Sequence, residues 1–292
     1  MRGKIVLVAL ALSLFGGYAA AQSVPAVALT SDVYCSGLVT TESVPRDTIL
    51  ITGEQSANKI VFEEGDYVYV NKGADAGVKV GDEFSVVRPV TDTIKIDWTK
   101  WQSAILKKMG TVWEDEGRLK VIVVRPDVAI TQIEHSCNTL QRGDIVLPFA
   151  ERPAPPLKSE DNFDKFAPAD GKPMAMVITG KKFQSQVGNE DIVYVNLGNA
   201  QGVKVGDYFR IFRYQGTEHE TVYIPRRTAF DVEGVQGPTY GFGKAPAKYN
   251  WSNVPREDLG EGVVLRTGPN SATVLITFTL REVFAGDYVE IE

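Results

Sequence analysis

Apolar and polar positions alternate in short runs along most of this chain. Asp66-Tyr67-Val68-Tyr69-Val70-Asn71 and Glu83-Phe84-Ser85-Val86-Val87-Arg88 set β-branched and aromatic side chains among polar ones, which suits half-buried strands. The runs stop at Asn71-Lys72-Gly73, Ala76-Gly77 and Gly81-Asp82, residues that tolerate positive φ and let the chain turn. Leu119 to Val124 and Ala129 to Glu134 flank Arg125-Pro126-Asp127 and predict a hairpin, and Gly143-Asp144 opens a last strand over Ile145 to Phe149. Short strands with glycine–aspartate turns predict a mainly all-β fold, a small and strongly curved barrel.

The pattern occurs twice. Tyr69 to Phe84 returns as Tyr194 to Phe209 with 11 of 16 positions identical and no gap, and Arg88 and Arg213 keep the same register. Ile51-Thr52-Gly53 precedes the first block as Ile178-Thr179-Gly180 precedes the second. Each copy closes on a matching pair, Ala129-Ile130-Thr131-Gln132-Ile133 with Gly143-Asp144-Ile145-Val146, and Ala272-Thr273-Val274-Leu275-Ile276 with Gly286-Asp287-Tyr288-Val289. Two copies make a tandem rather than a solenoid. The predicted organisation is a signal segment at 1–21, one module at 22–150, a linker at 151–172 and a second module at 173–292. The linker opens on Glu151-Arg152-Pro153-Ala154-Pro155-Pro156, where proline stiffens the chain and blocks ladder hydrogen bonds.

The copies diverge after the shared arginine. The first inserts Val90 to Gly110, with Trp98, Trp101, Ile105 and Leu106 at helical spacing and Lys100, Lys107 and Lys108 opposite. A short amphipathic helix is expected there, packed on its own barrel or docking a partner through Trp98 and Trp101. The second inserts a longer loop, about Thr217 to Leu259, carrying Tyr223, Arg226, Arg227, Phe230, Tyr240, Phe242, Tyr249 and Trp251. Aromatics and arginine on an irregular segment are the residue types of binding hot spots, so this loop is a candidate interaction surface; the alternative is a loop folded on its own barrel.

The N-terminus changes the cellular picture. Arg2 and Lys4 precede an apolar run from Ile5 to Phe15 and the small residues Ala19-Ala20-Ala21, the pattern of a cleaved export signal. A bilayer span needs about 20 apolar residues, more than this run supplies, and no later stretch is apolar enough. The mature chain is expected to begin near Gln22, without an integral membrane segment, in the periplasm or outside the cell. It then carries 29 basic residues (31 less Arg2 and Lys4) against 37 acidic ones, net −8. An acidic chain repels phosphate backbones, which argues against nucleic acid. The two cysteines, Cys35 and Cys137, invite a disulfide in an oxidising compartment; two buried thiols are the alternative.

Candidate chemistry is sparse. Each aspartate of the Gly-Asp pairs stands alone, so turn capping explains it better than a calcium site, which needs clustered oxygens. His135 and His219 are the only histidines, and neither lies in a metal-ligand spacing. His135 and Cys137 would share a strand face, but oxidation would consume the thiol as a nucleophile. No nucleophile elbow, Walker loop or dinucleotide fingerprint occurs. The expectation is no catalytic, cofactor-binding or metal-binding residues, and no cofactor.

The repeated block, with Tyr-Val-Asn, Gly-Val-Lys-Val-Gly-Asp, Phe and Arg at fixed spacing and a closing Gly-Asp strand, resembles the C-terminal domain of the flagellar assembly protein T family and small barrels of SH3-like type. The resemblance covers Asp66–Arg88 with Ala129–Phe149 and Asp191–Arg213 with Ala272–Glu292, not the inserts. It implies two tandem SH3-like barrels and a part in assembling a surface structure, and it transfers no active site. Peptidoglycan-binding LysM modules are a looser comparison, being about half as long. Three readings stand: a non-enzymatic envelope scaffold that binds another envelope protein, a module binding peptidoglycan or other polysaccharide with tyrosine and tryptophan rings, and an undetected hydrolase.

Overall fold

In a computed structural model, residues 26–94, 96–159, 163–214 and 255–292 are described in full, and residues 219–224 and 247–252 by their backbone. The expected signal segment lies outside the described residues. The fold is mainly β, as the alternation predicts.

The chain enters through a short helix α1 (Thr30–Tyr34) and strand β1 (Leu38–Thr40). The first module continues as β2 (Leu50–Gly53), β3 (Val61–Phe62), β4 (Tyr67–Val70), β5 (Glu83–Val90), α2 (Gln102–Met109), β6 (Thr111–Val124), β7 (Ala129–Ser136), β8 (Leu140–Gln141) and β9 (Ile145–Pro148). The second repeats the plan as β10 (Met174–Gly180), β11 (Gln186–Val187), β12 (Ile192–Val195), β13 (Tyr208–Arg213), β14 (His219–Ile224), β15 (Ala247–Ser252), β16 (Glu257–Gly268), β17 (Ser271–Thr279), β18 (Val283–Phe284) and β19 (Tyr288–Ile291).

The two modules share one topology. The second closes as a barrel in the order β10-β12-β17-β16-β13-β19, and the first runs β2-β4-β7-β6-β5-β9. Its outer strands meet where Ile49 bridges Ile145 and the Leu50 N–H donates to the Asp144 carbonyl at 2.9 Å. Strand β1 is additional, pairing antiparallel with β6. The segment expected as a long loop in the second module contains structure, since β14 and β15 pair antiparallel from His219 against Ser252 to Ile224 against Ala247.

Turns closed by aspartate join these strands, five of the six aspartates following glycine and Asp191 following Glu190. Asp66, Asp82 and Asp144 each accept the backbone N–H three residues earlier at 2.7–2.9 Å, and Asp191, Asp207 and Asp287 do the same in the second module at 2.7–2.8 Å. Such a side chain closes the turn and satisfies a donor that the ladder leaves free. The last aspartate of each copy also anchors the shared arginine. Arg88 grips Asp144 with two bonds of 2.7 Å, and Arg213 grips Asp287 with bonds of 2.7 and 2.6 Å. Gly73 and Gly198 serve a different need, because a Cβ there would collide with the carbonyl of Arg125 or Gly268 in the adjacent hairpin turn.

Each barrel has its own core. Leu50, Phe62, Val68, Val86, Leu119 and Ile133 fill the first; Val193, Phe209, Ile211, Leu259, Val274 and Val289 fill the second. A third buried cluster joins the two modules. Ala28, Val33, Val39, Met109 and Val112 of the first pack on Ile178, Ile192, Tyr194, Tyr208, Val263, Leu265 and Leu275 on the outer face of the second. Burying one such aliphatic side chain contributes about 1.5–3 kcal/mol, so this seam outweighs any single polar contact across it. Polar contacts fix its register. Tyr194 donates to the Ser36 carbonyl at 3.1 Å, Thr273 to the Gly37 carbonyl at 3.2 Å, and Gln102 to the Ile178 carbonyl at 2.6 Å. The proline-rich linker is held down too, with the Ala28 N–H donating to Pro155 at 3.0 Å and Tyr208 to Pro156 at 3.1 Å.

Candidate functional site

The insert of the first module is the feature that the repeat does not explain. Its helix α2 is short, and Met109, Ile105 and Leu106 face the seam, so the helix binds the second barrel rather than only its own. The residues before the helix face outward. Ile94 and Ile96 are exposed, and Trp98 and Trp101 are 57% and 65% exposed. Trp101 precedes the helix with φ +70°, a left-handed conformation that costs a non-glycine residue about 1–2 kcal/mol. Such strain persists only where surrounding contacts impose it. Here the Trp98 N–H donates to Gln102 Oε1 at 2.7 Å, and Asp97 accepts from the N–H and the hydroxyl of Ser103. These bonds tie the segment that carries the indoles to the first turn of the helix. Beside them runs a groove of about 450 Å3 between the insert and the second barrel, lined by Val90, Ile96, Leu106, Val112 and Phe183 among others.

Cys35 and Cys137 form a disulfide, 102 residues apart in sequence. It ties the end of α1 to the end of β7, and so fastens the seam segment to the first barrel. His135 Nε2 lies 3.3 Å from Cys35 Sγ, and Nδ1 lies 3.9 Å from Glu64 Oε2.

Buried carboxylates escaped the sequence reading. Asp115, 3% exposed, lies between Arg152 of the linker, at 3.0 Å, and Arg266 of the second barrel, at 3.3 Å, and accepts the Gly37 N–H at 2.8 Å. Burial alone would raise its pKa; Arg266, Arg152 and the Gly37 N–H outweigh that and hold it below the usual carboxylate range. Its counterpart Asp258 is buried with Arg210 and Arg256, each 3.0 Å away, and Arg256 also reaches Glu290 at 2.5 Å. There burial prevails and pushes the Asp258 carboxyl up to about 6, against the pull of Arg256 and Arg210. The signal lay in the repeat: Glu114-Asp115-Glu116-Gly117 returns as Glu257-Asp258-Leu259-Gly260, upstream of the matching hairpins.

Glu116 sits beside Asp115 with no exposed surface, and among the described residues neither carboxylate oxygen has an aligned hydrogen-bond donor. Burial pushes its carboxyl up to about 7, with Arg88 at 3.2 Å and Lys182 opposing, and Asp144 and Glu114 adding to the rise. The folded chain therefore keeps a proton that the unfolded chain sheds near 4.5. The contribution of this group to stability is complete below 4.5 and falls as pH rises toward 7. Glu116→Gln should flatten that fall, read as urea midpoints at successive pH values. A parent whose stability owes nothing to Glu116 would show the same slope as the variant.

The residues predicted to carry function are distributed unevenly. Trp98 and Trp101 share the exposed insert. Of the second insert, Arg226, Arg227, Phe230, Tyr240 and Phe242 lie outside the described residues. Tyr223 stands in β14 opposite Lys248, while Tyr249 and Trp251 stand in β15 opposite Val222 and Glu220. No helix among the described residues is long and apolar enough to cross a membrane. No family model matches the chain, and no curated protein matches it either.

Proposed function

We propose that this chain is an exported, non-enzymatic envelope adaptor that presents a binding surface for another envelope protein. The supporting observation is the exposed set Ile94, Ile96, Trp98 and Trp101, on the insert beside a groove at the junction of two barrels. Tryptophan at a solvent-facing position is the residue type that dominates interface energetics. The seam supports a scaffold role, because two barrels locked together hold that surface at a set orientation. The likeness of the repeated block to the flagellar assembly protein T domain adds assembly of a surface structure as the setting.

The test compares the parent with Trp98→Ser/Trp101→Ser in capture from envelope extracts and on purified sacculi. Loss of two hot-spot indoles, at about 2 kcal/mol each, should weaken binding of a discrete protein partner by about 1,000-fold. A partner held equally by both proteins would overturn the assignment. Retention on sacculi that depends on the indoles would replace the protein partner with a glycan.

A further inference from the structure

We propose that Cys35, His135 and Cys137 form a binding site for a thiophilic metal ion, Zn2+ or Cu+, once the disulfide is reduced. The Sγ atoms and a ring nitrogen of these residues lie within 4.8 Å of one another. His135 Nε2 already faces Cys35 Sγ at 3.3 Å. A tetrahedral ion with metal–sulfur bonds of about 2.3 Å and metal–nitrogen bonds of about 2.0 Å sets sulfur and nitrogen about 3.5 Å apart. The sulfurs need separate only to about 3.8 Å, within reach of side-chain rotation.

The surroundings support the histidine as a ligand. Its other nitrogen, Nδ1, lies 3.9 Å from Glu64 Oε2, beyond hydrogen-bond distance, and a turn of that exposed side chain would bring the carboxylate to the place from which an outer carboxylate orients a metal-bound imidazole. The backbones that carry the thiols are held independently of the sulfur bond. The Cys35 N–H donates to Ser31 at 2.8 Å, and the Cys137 N–H donates to the Glu116 carbonyl at 2.9 Å. A cavity of about 130 Å3 lined by Tyr34, Arg118, Glu134 and His135 opens beside the imidazole, though neither cysteine lines it; three protein ligands leave the fourth position of a tetrahedral ion to water. Two thiolates and an imidazole select zinc or cuprous ion over magnesium or calcium.

The chemistry balances through a dithiol reductant of the thioredoxin type. Its thiolate attacks one sulfur, the Cys35–Cys137 bond breaks, and the reductant leaves as its own disulfide, having supplied two electrons. Each cysteine takes up a proton. Metal binding then displaces both thiol protons to solvent, as thiolate ligation requires.

The full chain, reduced with a phosphine and freed of metal, is titrated with Co2+ and then Zn2+. Reduced protein should show a thiolate-to-cobalt charge-transfer band that Zn2+ abolishes, together with a raised melting temperature; oxidised protein should show neither. His135→Ala leaves the disulfide in place during folding, and after reduction should weaken binding by about 100-fold or more. Glu64→Gln should weaken it by about 10-fold, as loss of an outer-shell partner does. The proposal fails if the reduced chain yields no band and no thermal shift, including the case where it unfolds and Zn2+ does not restore it. It fails equally if His135→Ala binds like the parent, or if the oxidised chain binds as well as the reduced.

Discussion

Asp115→Ala is expected to lower the stability of the whole two-barrel unit by about 3 kcal/mol. Removing one partner of a buried ion pair costs about 3–5 kcal/mol, because the other charge stays behind unpaired. Two guanidiniums, Arg152 and Arg266, would face each other here without their shared carboxylate. Each keeps some exposure, 17% and 23% of the side chain, so water compensates in part and the lower end of that range applies. The Gly37 N–H also loses its acceptor. The apolar seam is unchanged, so the barrels should remain docked. The expected signature is a lower urea midpoint with an unchanged slope. Asp115→Asn keeps an acceptor for Gly37 and loses the charge, and its deficit isolates the ionic part. An unfolding free energy within about 1 kcal/mol of the parent for Asp115→Ala would show that the arginines are solvated well enough without it, by the ordinary scale of surface pairs, about 0–1 kcal/mol.

Cutting the disulfide should cost more. The bond spans 102 residues, and the chain-entropy relation gives about 4.7 kcal/mol for a loop of about 100. The loss should also be local in origin, since Cys35 holds the end of α1, and Val33 and Val39 on either side reach into the seam. Cys35→Ser/Cys137→Ser, compared with the parent by urea unfolding and hydrogen exchange, should lose about 4–5 kcal/mol, with early exchange over residues 28–41. Uniform exchange across both barrels would argue that the bond acts only on the unfolded chain. Reducing the parent should reproduce the double variant, and zinc should then recover part of the difference in the parent alone.

Much of the fold was legible because it rests on local rules. The Gly-Asp pairs at 81–82, 143–144, 206–207 and 286–287 needed only short-range geometry to become turns, and each does. The link from Arg88 to Asp144 was half visible: both residues repeat, but pairing them required knowing that β5 and β9 are neighbours. The buried acids were missed because inserts of different length stand between the shared arginine and each Glu-Asp doublet, which hides the register. The site was less legible than the fold. The proximity of His135 to the sulfur of Cys35 spans 100 residues and depends on how α1 folds back. Trp98 and Trp101 were expected on a helix; both stand before it, Trp101 in a conformation that propensity disfavours.

Tyr69 and Tyr194 mark the division between the two sources of information. They occupy the same place in identical Tyr-Val-Asn blocks, and alternation by itself determined that both belong to a strand whose neighbouring valines, Val68, Val70, Val193 and Val195, point into a barrel. The amino-acid sequence likewise determined the duplication, the turns and the residues eligible for a disulfide. It could not determine which tyrosine is buried. Tyr69 stays half-buried on the outside of the first barrel, whereas Tyr194 is 1% exposed beneath residues 28–41, with its hydroxyl bonded to Ser36 and its ionisation opposed mainly by that burial. The tertiary structure decided this, because the modules meet through the added N-terminal segment and insert of one copy and the bare strand face of the other. Local sequence encodes which way a side chain points from its own strand; what waits on the other side depends on segments more than a hundred residues away.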